Sequence, residues 1–576
     1  MRSSMARRCN GRIINTGNNM HGILKICLVM TAATIASLAW PNHADARGVR
    51  ALPAARSAVR QPNVQAAVSA NKVQTSPWAP LNNQPTFMAS GASTAMLLTD
   101  GTVLVQDTCA TDWWRLTPDQ SGSYVNGTWT QVAPTPIGYA PFSNSAAVLP
   151  DGRLIIEGGE YNCAVDPVNP VWTALGAIYD PVADSWTPVA PPPFFAFTEV
   201  SPGIFAQSIG DAQSVILANG TYMQADCCTT QSALLDAKTM TWTPTGKNKF
   251  DPNDEEGWTL LPSGEVLTVD AYVPIAPFPY EPKGTNSEIY NPRTGAWKSA
   301  GSTIVQLWDS AAACGGENVG TFEVGPAVLR SDGTVFYTGS DTCPNGRGKT
   351  AIYDSYARTW TPGPKFPVVD GVTDINIADG PASWEPNDKV LMMASPGYSN
   401  PPSTFFEWDG HDLTVVPGPP NAATEGSSNG NMLVLPTGQI LFTDLTNDIE
   451  IYTPKITERD EENERHIAPV IFNAPRAVKR GGSYEISGIR FNGVTQGAAF
   501  GDDEQMATNF PLVRITNLVT AHVFYGRTHD HSSMAVASHA EVSTHVEVST
   551  EQEPGPSILQ VVANGIASEP VFVIVR

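Results

Sequence analysis

The sequence has few positive charges, few cysteines and no apolar run long enough for a membrane span. Lys and Arg total 34 against 56 Asp and Glu, which gives a formal net charge of -22. Such a surface repels phosphate backbones and anionic lipid, so we expect no nucleic-acid partner. The chain also lacks a P-loop, a dinucleotide fingerprint, a G-x-S-x-G elbow and an H-E-x-x-H motif, which argues against the enzymes that use them.

The N-terminus has the pattern of an export signal. A basic region precedes the apolar run from Ile26 to Ala39, and Ala44-Asp45-Ala46 forms an A-x-A cleavage pattern. We therefore predict a signal peptide over residues 1–46, starting at Met1 or Met20, and a flexible segment over residues 47–76. The mature chain would be secreted or periplasmic, with 29 basic and 55 acidic residues and a net charge of -26.

Six cysteines follow the predicted signal: Cys109, Cys163, Cys227, Cys228, Cys314 and Cys343. An even number in an exported protein predicts disulfide bonds, although spacing alone leaves the pairing open. Cys314 with Cys343 is a plausible local loop. The adjacent Cys227 and Cys228 either bridge each other or pair elsewhere. A zinc site is disfavoured because no C-x-x-C pair is present.

The middle of the chain repeats a pattern of an apolar strand, a tight turn and a second apolar strand. Most of the turns contain Asp-Gly, Asn-Gly, Ser-Gly or Thr-Gly, and one contains Asn-Asp; these residues tolerate positive φ in two-residue hairpins. The seven copies begin at Ala95, Ala146, Ser214, Trp258, Ala327, Ser383 and Met432. In most copies a second pair of strands follows, with an aromatic-Asp step and a late Trp, as in the stretch from Ala177.

Seven four-stranded units between about Pro77 and Pro454 predict an all-β, seven-bladed β-propeller over residues 77–456. The hairpin, the aromatic-Asp step and the late Trp resemble kelch repeats. We interpret the Trp and Tyr residues as packing between units. Residues 457–467 are predicted to be a charged linker. The alternating runs over residues 468–576 predict an immunoglobulin-like (early-set) β-sandwich.

An exported kelch propeller followed by a β-sandwich resembles the galactose oxidase and glyoxal oxidase family of copper-radical oxidases. The resemblance implies that a loop of the sandwich enters the propeller channel with one copper-ligating histidine. Thr528-His529, within the stretch Gly526 to Met534, looks like the local Thr-His motif of that family. Tyr161 falls where the family carries an aromatic residue that stacks on the cofactor.

The remaining copper-site positions of that family do not match. Its Tyr-His pair would fall on Ser428-Asn429, its other tyrosine on Ser143, and its crosslinking cysteine near Thr94. Ser, Asn and Thr form no tyrosyl radical and do not replace phenolate and imidazole ligands. No Tyr-His dipeptide occurs in the chain, so we do not expect copper-radical chemistry.

An acidic ring is the alternative centre. Just upstream of four consecutive hairpins lie Asp211, Glu255, Glu323 and Asp379, with Asn429 at the corresponding position of unit seven. Oxygen ligands in a ring would suit calcium, and added His529 and His531 would favour zinc or manganese. The competing interpretation is that the carboxylates only bond backbone N–H groups of nearby turns, and that the histidines plug the channel or are exposed.

Asp502 to Gln505 could also bind calcium, but we interpret this stretch as a solvated turn. Two functions remain from the sequence. The first is a monomeric exported module that binds carbohydrate or an extracellular protein, with Tyr161 and Asn429 as further channel contacts. The second is a metal-dependent enzyme that uses the channel, either a degenerate copper-radical oxidase or a hydrolase or lyase with carboxylates as acid and base.

Overall fold

The computed structural model describes residues 76–201, 203–271, 284–309, 322–341, 346–501 and 504–576. Its only helices within these ranges are Glu458–Ile467 and two 3-10 helices, Pro420–Ala423 and Ser427–Asn429. None of the described helices is long and apolar enough to cross a membrane. The predicted signal peptide, the segment up to residue 75, and Cys314 and Cys343 lie outside the described residues.

The described chain is all-β, with six separate four-stranded antiparallel blades in a propeller-like arrangement. We number the repeats in chain order as units 1 to 7. Five of the blades are units 1 to 5. The strands are Ala92–Leu97, Val103–Asp107, Trp113–Thr117 and Thr128–Gln131 in unit 1, Ser145–Val148, Leu154–Glu157, Gly176–Asp180 and Ser185–Val189 in unit 2, and Ser214–Ile216, Tyr222–Ala225, Ser232–Asp236 and Thr241–Thr245 in unit 3. They are Thr259–Leu260, Val266–Val269, Asn286–Asn291 and Ala296–Ser302 in unit 4, and Ala327–Leu329, Thr334–Thr338, Thr350–Asp354 and Thr359–Pro362 in unit 5.

The sixth separate blade is unit 7, which joins the two ends of the propeller. Its strands Asn431–Val434, Ile440–Thr443 and Glu450–Tyr452 are completed by Trp78–Pro80 from the start of the described chain. Short strands outside the blades form two ribbons, Pro141–Phe142 with Tyr161–Asn162 and Phe197–Ser201 with Ile204–Gln207.

Unit 6 belongs to a larger sheet, which is the main departure from the predicted pattern. Its strands Pro381–Trp384, Val390–Pro396, Thr404–Trp408 and Leu413–Val416 form a seven-stranded sheet with Ile375–Asn376 and with a hairpin from the C-terminal region. We call this hairpin, Gly497–Phe500 with Glu504–Ala507, the channel hairpin. It pairs with the first strand of unit 6 and packs against the first strands of units 1, 2, 3, 5 and 7, so it fills the centre of the propeller.

The predicted turn chemistry is confirmed. The turn glycines of six units have positive φ, namely Gly101, Gly152, Gly220, Gly264, Gly333 and Gly438. In unit 6, Asp388 takes this role with φ of 63°.

The repeated aromatic residues pack between units, as predicted. Trp186 of unit 2 donates from Nε1 to the carbonyl of Ala133 at 2.8 Å, and Trp242 of unit 3 donates to that of Ala190 at 2.7 Å. Each of these carbonyls follows the last strand of the preceding unit. A Tyr on the third strand of a unit packs against the Trp of the fourth, with ring centroids 5.0 Å apart for Tyr179 and Trp186. Trp186 also lies 5.6 Å, between ring centroids, from Trp113 of unit 1, so aromatic rings pack where one sheet meets the next.

The segment predicted as a charged linker is helical. Glu458–Ile467 begins at Thr457, whose side chain and that of Asp460 form a reciprocal capping box. Three acidic residues in its first turn and two basic residues in its last turn match the helix dipole. Local capping therefore makes a helix from residues that the charge pattern alone assigned to a linker.

The C-terminal region forms one continuous sheet, and the strand Val523–His529 pairs with both of its halves and so joins them. Alternate residues from the two halves, such as Ile486, Val513 and Val546, meet in one hydrophobic cluster. The strands are Val470–Asn473, Ala477–Val478, Ser483–Ile489, Leu512–Asn517, Val523–His529, Glu541–Glu547, Gly555–Ala563, Ile566–Ala567 and Val571–Val575.

Candidate functional site

The channel hairpin marks one end of the propeller. Phe500, next to its tip, pairs with Pro381, the first residue of the first strand of unit 6. The tip therefore lies at the end where the first strands of the units begin. The loops between second and third strands, and those linking one unit to the next, reach the same end because neighbouring strands are antiparallel.

Carboxylates gather at this end, which we call the acidic end of the channel: Asp211, Asp254, Glu255, Glu323 and Asp379. They precede the first strands of units 3, 4, 5 and 6, with two of them in the loop before unit 4. Asp211 is 9% exposed and Glu323 is 8% exposed. The sequence prediction that four units contribute carboxylates at one level is consistent with this placement, while metal binding by them stays a prediction.

Tyr398 connects two of the carboxylates. Its hydroxyl lies 2.8 Å from Oδ2 of Asp379 and 3.0 Å from Oε1 of Glu323. A phenol has one proton, so it cannot donate fully to two ionised carboxylates at once. Burial, followed by the negative charges of Asp379, Glu323 and Glu255, raises the pKa of Tyr398 well above its usual value. Tyr398 therefore keeps its proton, and the two carboxylates compete for it.

Asp211 and Asp254 extend the same electrostatic group. Burial raises the pKa of Asp211 to about 6, a hydrogen bond from its own backbone N–H opposes this, and the charge of Asp379 adds to it. Burial also raises the pKa of Asp254, with contributions from Asp211, Asp226 and Glu160. The Oδ1 atom of Asp211 is buried and accepts no hydrogen bond within the described chain. Protons or a bound cation would relieve this accumulation of negative charge.

The channel hairpin adds a further carboxylate. Glu504 accepts hydrogen bonds from Thr94 Oγ1 at 3.0 Å and from Asn431 Nδ2 at 2.6 Å, so it bridges the first strands of units 1 and 7. Gln505 donates to the carbonyl of Trp258 at 3.0 Å. The interpretation of this stretch as a solvated turn is thus wrong for Glu504 and Gln505, which belong to a strand inside the channel. Residues 502 and 503 lie outside the described ranges.

The predicted entry of the stretch Gly526 to Met534 into the channel is also wrong. Met534 N–H donates to the carbonyl of Ala218, which follows the first strand of unit 3, whereas Asp211 precedes that strand. The strand Ser214–Ile216 lies between Asp211 and Ala218, so these two residues are at opposite ends of the first strand of unit 3. The histidines therefore lie against the hairpin turns of units 2 and 3, at the end opposite the carboxylates. The channel hairpin, and not this stretch, forms strand pairs with the propeller.

His529 and His531 have separate surroundings there. His529 Nδ1 lies 2.8 Å from Oδ2 of Asp530, and its ring stacks on that of His545 with centroids 5.6 Å apart. His531 is buried and hydrogen-bonds through Nδ1 to Thr544 Oγ1 at 2.8 Å. This placement removes the reason for expecting them to complete the ligand set of the acidic ring.

Tyr161 and Asn429 are the other two residues predicted as channel contacts. Tyr161 is half-buried in the ribbon with Pro141–Phe142, and its ring centroid lies 6.0 Å from that of Phe142. Asn429 ends a 3-10 helix and donates from Nδ2 to Oε2 of Glu425. The neighbouring Ser428 shares a 2.7 Å hydrogen bond with Ser399, the residue after Tyr398.

Two residues of the acidic end were missed from the sequence. Asp254 sits beside Glu255, and comparison at one fixed offset selected only one of the pair. Tyr398 follows the second strand of unit 6, whereas the predicted acidic ring contains only residues upstream of the hairpins. Antiparallel strand order brings loops after second strands to the same end, and this rule would have found it.

Two disulfide bonds are present in the described chain. Cys109–Cys163 links the loops that follow the second strands of units 1 and 2. Cys227–Cys228 is the vicinal bridge that adjacent cysteines allowed. Both sulfurs lie close to a carboxylate oxygen of Asp254, so this bridge borders the acidic end.

No protein-family model and no curated protein sequence matches the chain. Among solved structures, it is similar to a fungal alcohol oxidase of the AA5 family in complex with copper. The identity is 13% and the TM-score 0.43, over 87% of this chain and 98% of that chain. It is also similar to a streptogramin B lyase, with 10% identity and a TM-score of 0.38 over 65% of this chain and 96% of that chain.

An inactive variant of virginiamycin B lyase from Staphylococcus aureus with quinupristin is a further similar structure. The identity is 10% and the TM-score 0.40, over 66% of this chain and 100% of that chain. Likeness at this level carries no information on the ligand, metal or activity of this chain.

Proposed function

We propose that this chain is an exported, galactose-oxidase-like kelch propeller that binds a carbohydrate or an extracellular protein at the acidic end of the channel. A hard divalent cation held by Asp211, Glu323 and Asp379 is part of that site. The observation that carries the proposal is that Glu323 and Asp379 both meet the Tyr398 hydroxyl, while the charge of Asp379 also acts on the buried Asp211. In this view unit 6 is the seventh blade and residues 468–576 form the immunoglobulin-like domain.

A cation accounts for the charge at this end better than the competing structural role of the carboxylates. Backbone N–H groups of nearby turns would satisfy both oxygens of each carboxylate if that role were the whole explanation. Asp211 instead has a buried oxygen with no hydrogen-bond partner among the described residues. Carboxylate oxygens are the donor set that suits calcium, and zinc or manganese remain the alternatives.

Exposed apolar side chains next to this end favour a ligand with an apolar face. Phe197, Ile204 and Phe205 are 70%, 58% and 61% exposed on the ribbon that leads into Asp211. Aromatic rings of this kind stack on sugar rings, and sugar hydroxyls can fill open positions around calcium. We therefore favour carbohydrate over protein as the ligand.

We also propose that copper-radical chemistry is absent. Thr94 donates to Glu504 of the channel hairpin, and Ser428 bonds to Ser399. Thr94 and Ser428, which match copper-site positions in the resemblance to the oxidases, are thus small polar side chains that bond to the hairpin and to Ser399 respectively. The hairpin residues 497 to 507 include no histidine.

Metal analysis tests the proposal. The mature chain from Arg47 would be purified without chelating resin and its bound metals measured by mass spectrometry. We expect calcium, zinc or manganese, with one equivalent lost in Asp379→Asn and none lost in the control Glu462→Gln, which changes the same charge on the exposed helix. Equal metal content in both variants would contradict the site, and near-stoichiometric copper would restore the oxidase hypothesis.

A glycan array tests the ligand. We expect calcium-dependent binding by the parent chain that is absent in Asp379→Asn and abolished by a chelator. No binding above background with a metal-loaded chain would count against carbohydrate, and binding to immobilised extracellular proteins would then indicate the protein ligand.

A metal-dependent enzyme is the second candidate, favoured by Asp211, whose pKa burial raises to about 6. A carboxyl group with such a pKa can supply or accept a proton in hydrolysis or elimination, while the Tyr398 hydroxyl positions Glu323 and Asp379 through hydrogen bonds. Tyr398→Phe would then abolish polysaccharide cleavage, while the control Tyr356→Phe, at an exposed turn, would not. Release of hydrogen peroxide from alcohols or aldehydes would indicate oxidase chemistry instead.

A further inference from the structure

A buried lysine lies among four carboxylates in unit 4 and in the segment that precedes it, which also carries Asp254 and Glu255 of the acidic end. Lys249 lies in the segment between the last strand of unit 3 and the first strand of unit 4. Its Nζ is 2.5 Å from Asp251 Oδ1, 2.9 Å from Glu256 Oε1 and 3.0 Å from Glu288 Oε2. A fourth carboxylate oxygen, Oδ1 of Asp270, is 3.9 Å away. The side chains of Lys249, Asp251 and Glu256 have no exposed surface.

The lysine cannot satisfy this set of acceptors. An ammonium group has three N–H donors, and the three nearest oxygens take them. Both oxygens of Asp270 and Oδ2 of Asp251 are buried and accept no hydrogen bond within the described chain. Asp270 is only 1% exposed, so it is not solvated either. Four carboxylates against one ammonium leave an excess of negative charge where isolated charges are costly.

Three of these carboxylates lie close to one another. One oxygen each from Asp251, Glu256 and Asp270 fall within 4.8 Å of each other, a spacing that a single ion can bridge. The set contains only oxygen donors, which hard cations such as calcium prefer at distances of about 2.3–2.6 Å. Glu256 also accepts from Thr268 Oγ1 at 3.0 Å, which holds its carboxylate in place.

We propose that Asp251, Glu256 and Asp270 bind a structural calcium ion beside Lys249. The ion would join the segment before unit 4, which also carries Asp254 and Glu255 of the acidic end, to Asp270, the residue that follows the second strand of that unit. The site uses none of the residues assigned to the cation at the acidic end, so it stands or falls separately from the proposed function.

Protons are the competing way to neutralise the group. Burial and the charges of neighbouring carboxylates raise the pKa values of Glu256 and Asp270, although Lys249 opposes this. If protons neutralise the cluster, the stability of the protein should change with pH and not with calcium concentration. If calcium fills the cluster, stability near neutral pH should rise with calcium concentration and change little with pH, because the bound ion stabilises the folded state by mass action.

Calcium counting and thermal unfolding of the mature chain test the proposal. Mass spectrometry of the parent should show one more calcium than Asp270→Asn, while the control Asp236→Asn, at the exposed end of a strand of unit 3, should match the parent. Calcium added after chelation should raise the unfolding midpoint of the parent, and should raise that of Asp270→Asn by clearly less, because this variant keeps only the site at the acidic end. Identical calcium content and identical calcium response in parent and Asp270→Asn would overturn the proposal.

Terbium luminescence keeps the test valid if Asp270→Asn does not fold. The ring of Trp297 lies 5.8 Å from Lys249 Nζ, close enough to sensitise terbium bound in the cluster. Trp297→Phe in an otherwise unchanged chain should remove part of the calcium-displaceable terbium emission. Emission equal to that of the parent would place bound terbium elsewhere and contradict the site.

Discussion

His531 shows how burial gives one residue a measurable effect on stability. Its ring is enclosed by the C-terminal sheet and by the turn of unit 2, where its backbone N–H donates to the carbonyl of Pro150 at 3.0 Å. Burial is the main reason that its pKa falls from 6.5 to about 3, with the charge of His529 acting in the same direction. Asp530 and Asp151 oppose the shift. The folded protein therefore holds His531 neutral.

A pH profile of unfolding should reveal this residue. As pH falls below about 6.5 the unfolded chain binds a proton at His531, whereas the folded chain does not do so until about pH 3. The stabilisation from a neutral His531 is therefore complete above pH 6.5 and is lost towards pH 3, by about 1.4 kcal/mol per pH unit.

The substitution His531→Asn should flatten that slope in urea unfolding measured between pH 4 and 7, because an amide does not titrate in this range. His411→Asn, at an exposed turn, is the matched control and should keep the parental slope. A parental slope in His531→Asn would show that other groups govern acid unfolding.

The sequence predicted which types of residue occur at the site better than it predicted which residues contact one another. Asp211, Glu255, Glu323 and Asp379 were found because strand entries recur at a fixed offset from a recognisable turn. Tyr398 was not found because it follows the second strand of unit 6, whereas the fixed offset reaches only residues that precede a hairpin. Contacts such as its bonds to Glu323 and Asp379 depend on how units close into a ring, and a repeat period does not contain that information.

Among the elements, the hairpins followed local rules, and unit 6 shows why one turn departs from them. Asp388 replaces the turn glycine, and its Oδ1 accepts from Ser331 N–H at 2.9 Å and from Trp384 Nε1 at 3.0 Å. Its Oδ2 accepts from Arg330 at 2.9 Å. Asp tolerates positive φ less readily than Gly, but here its side chain ties unit 6 to the turn of unit 5.

Restoring glycine at this turn should therefore destabilise the protein. Asp388→Gly relaxes the backbone but leaves Trp384 Nε1, in a fully buried side chain, without its acceptor. We expect a loss of about 2–3 kcal/mol in the free energy of unfolding, in the range for an unpaired buried donor together with a broken ion pair. Urea denaturation measures it, and Asp388→Asn, which keeps one acceptor, should lose less. Equal or greater stability in Asp388→Gly would refute this account of the turn.

The channel hairpin is the element that sequence patterns could not place. Its strands Gly497–Phe500 and Glu504–Ala507 are short and apolar enough for any sheet, and their partner Pro381–Trp384 lies more than a hundred residues upstream. A Thr-His resemblance drew attention to residues 526–534 instead. Pairing between distant segments is a tertiary event, and alternation of apolar residues predicts only that a strand exists.

For the whole molecule, the hairpin makes the propeller and the C-terminal region interdependent. It covers the free edge of Pro381–Trp384 through three residue pairs, Pro381 with Phe500, Ala382 with Ala499 and Ser383 with Ala498. Glu504 occupies the hydrogen-bonding groups of Thr94 and Asn431 on the two units that close the ring. Without the hairpin, a strand edge and several buried polar groups would face an open channel.

A chain of residues 47–456 should therefore fold poorly on its own. We expect it to aggregate, or to unfold at a clearly lower temperature than residues 47–576, as measured by size-exclusion chromatography and circular dichroism. Coexpression of residues 457–576 should recover soluble complex, because the hairpin can pair with the channel from a separate chain. An isolated propeller that is monomeric and as heat-stable as the full chain would show that the hairpin serves the acidic end of the channel without supporting the fold.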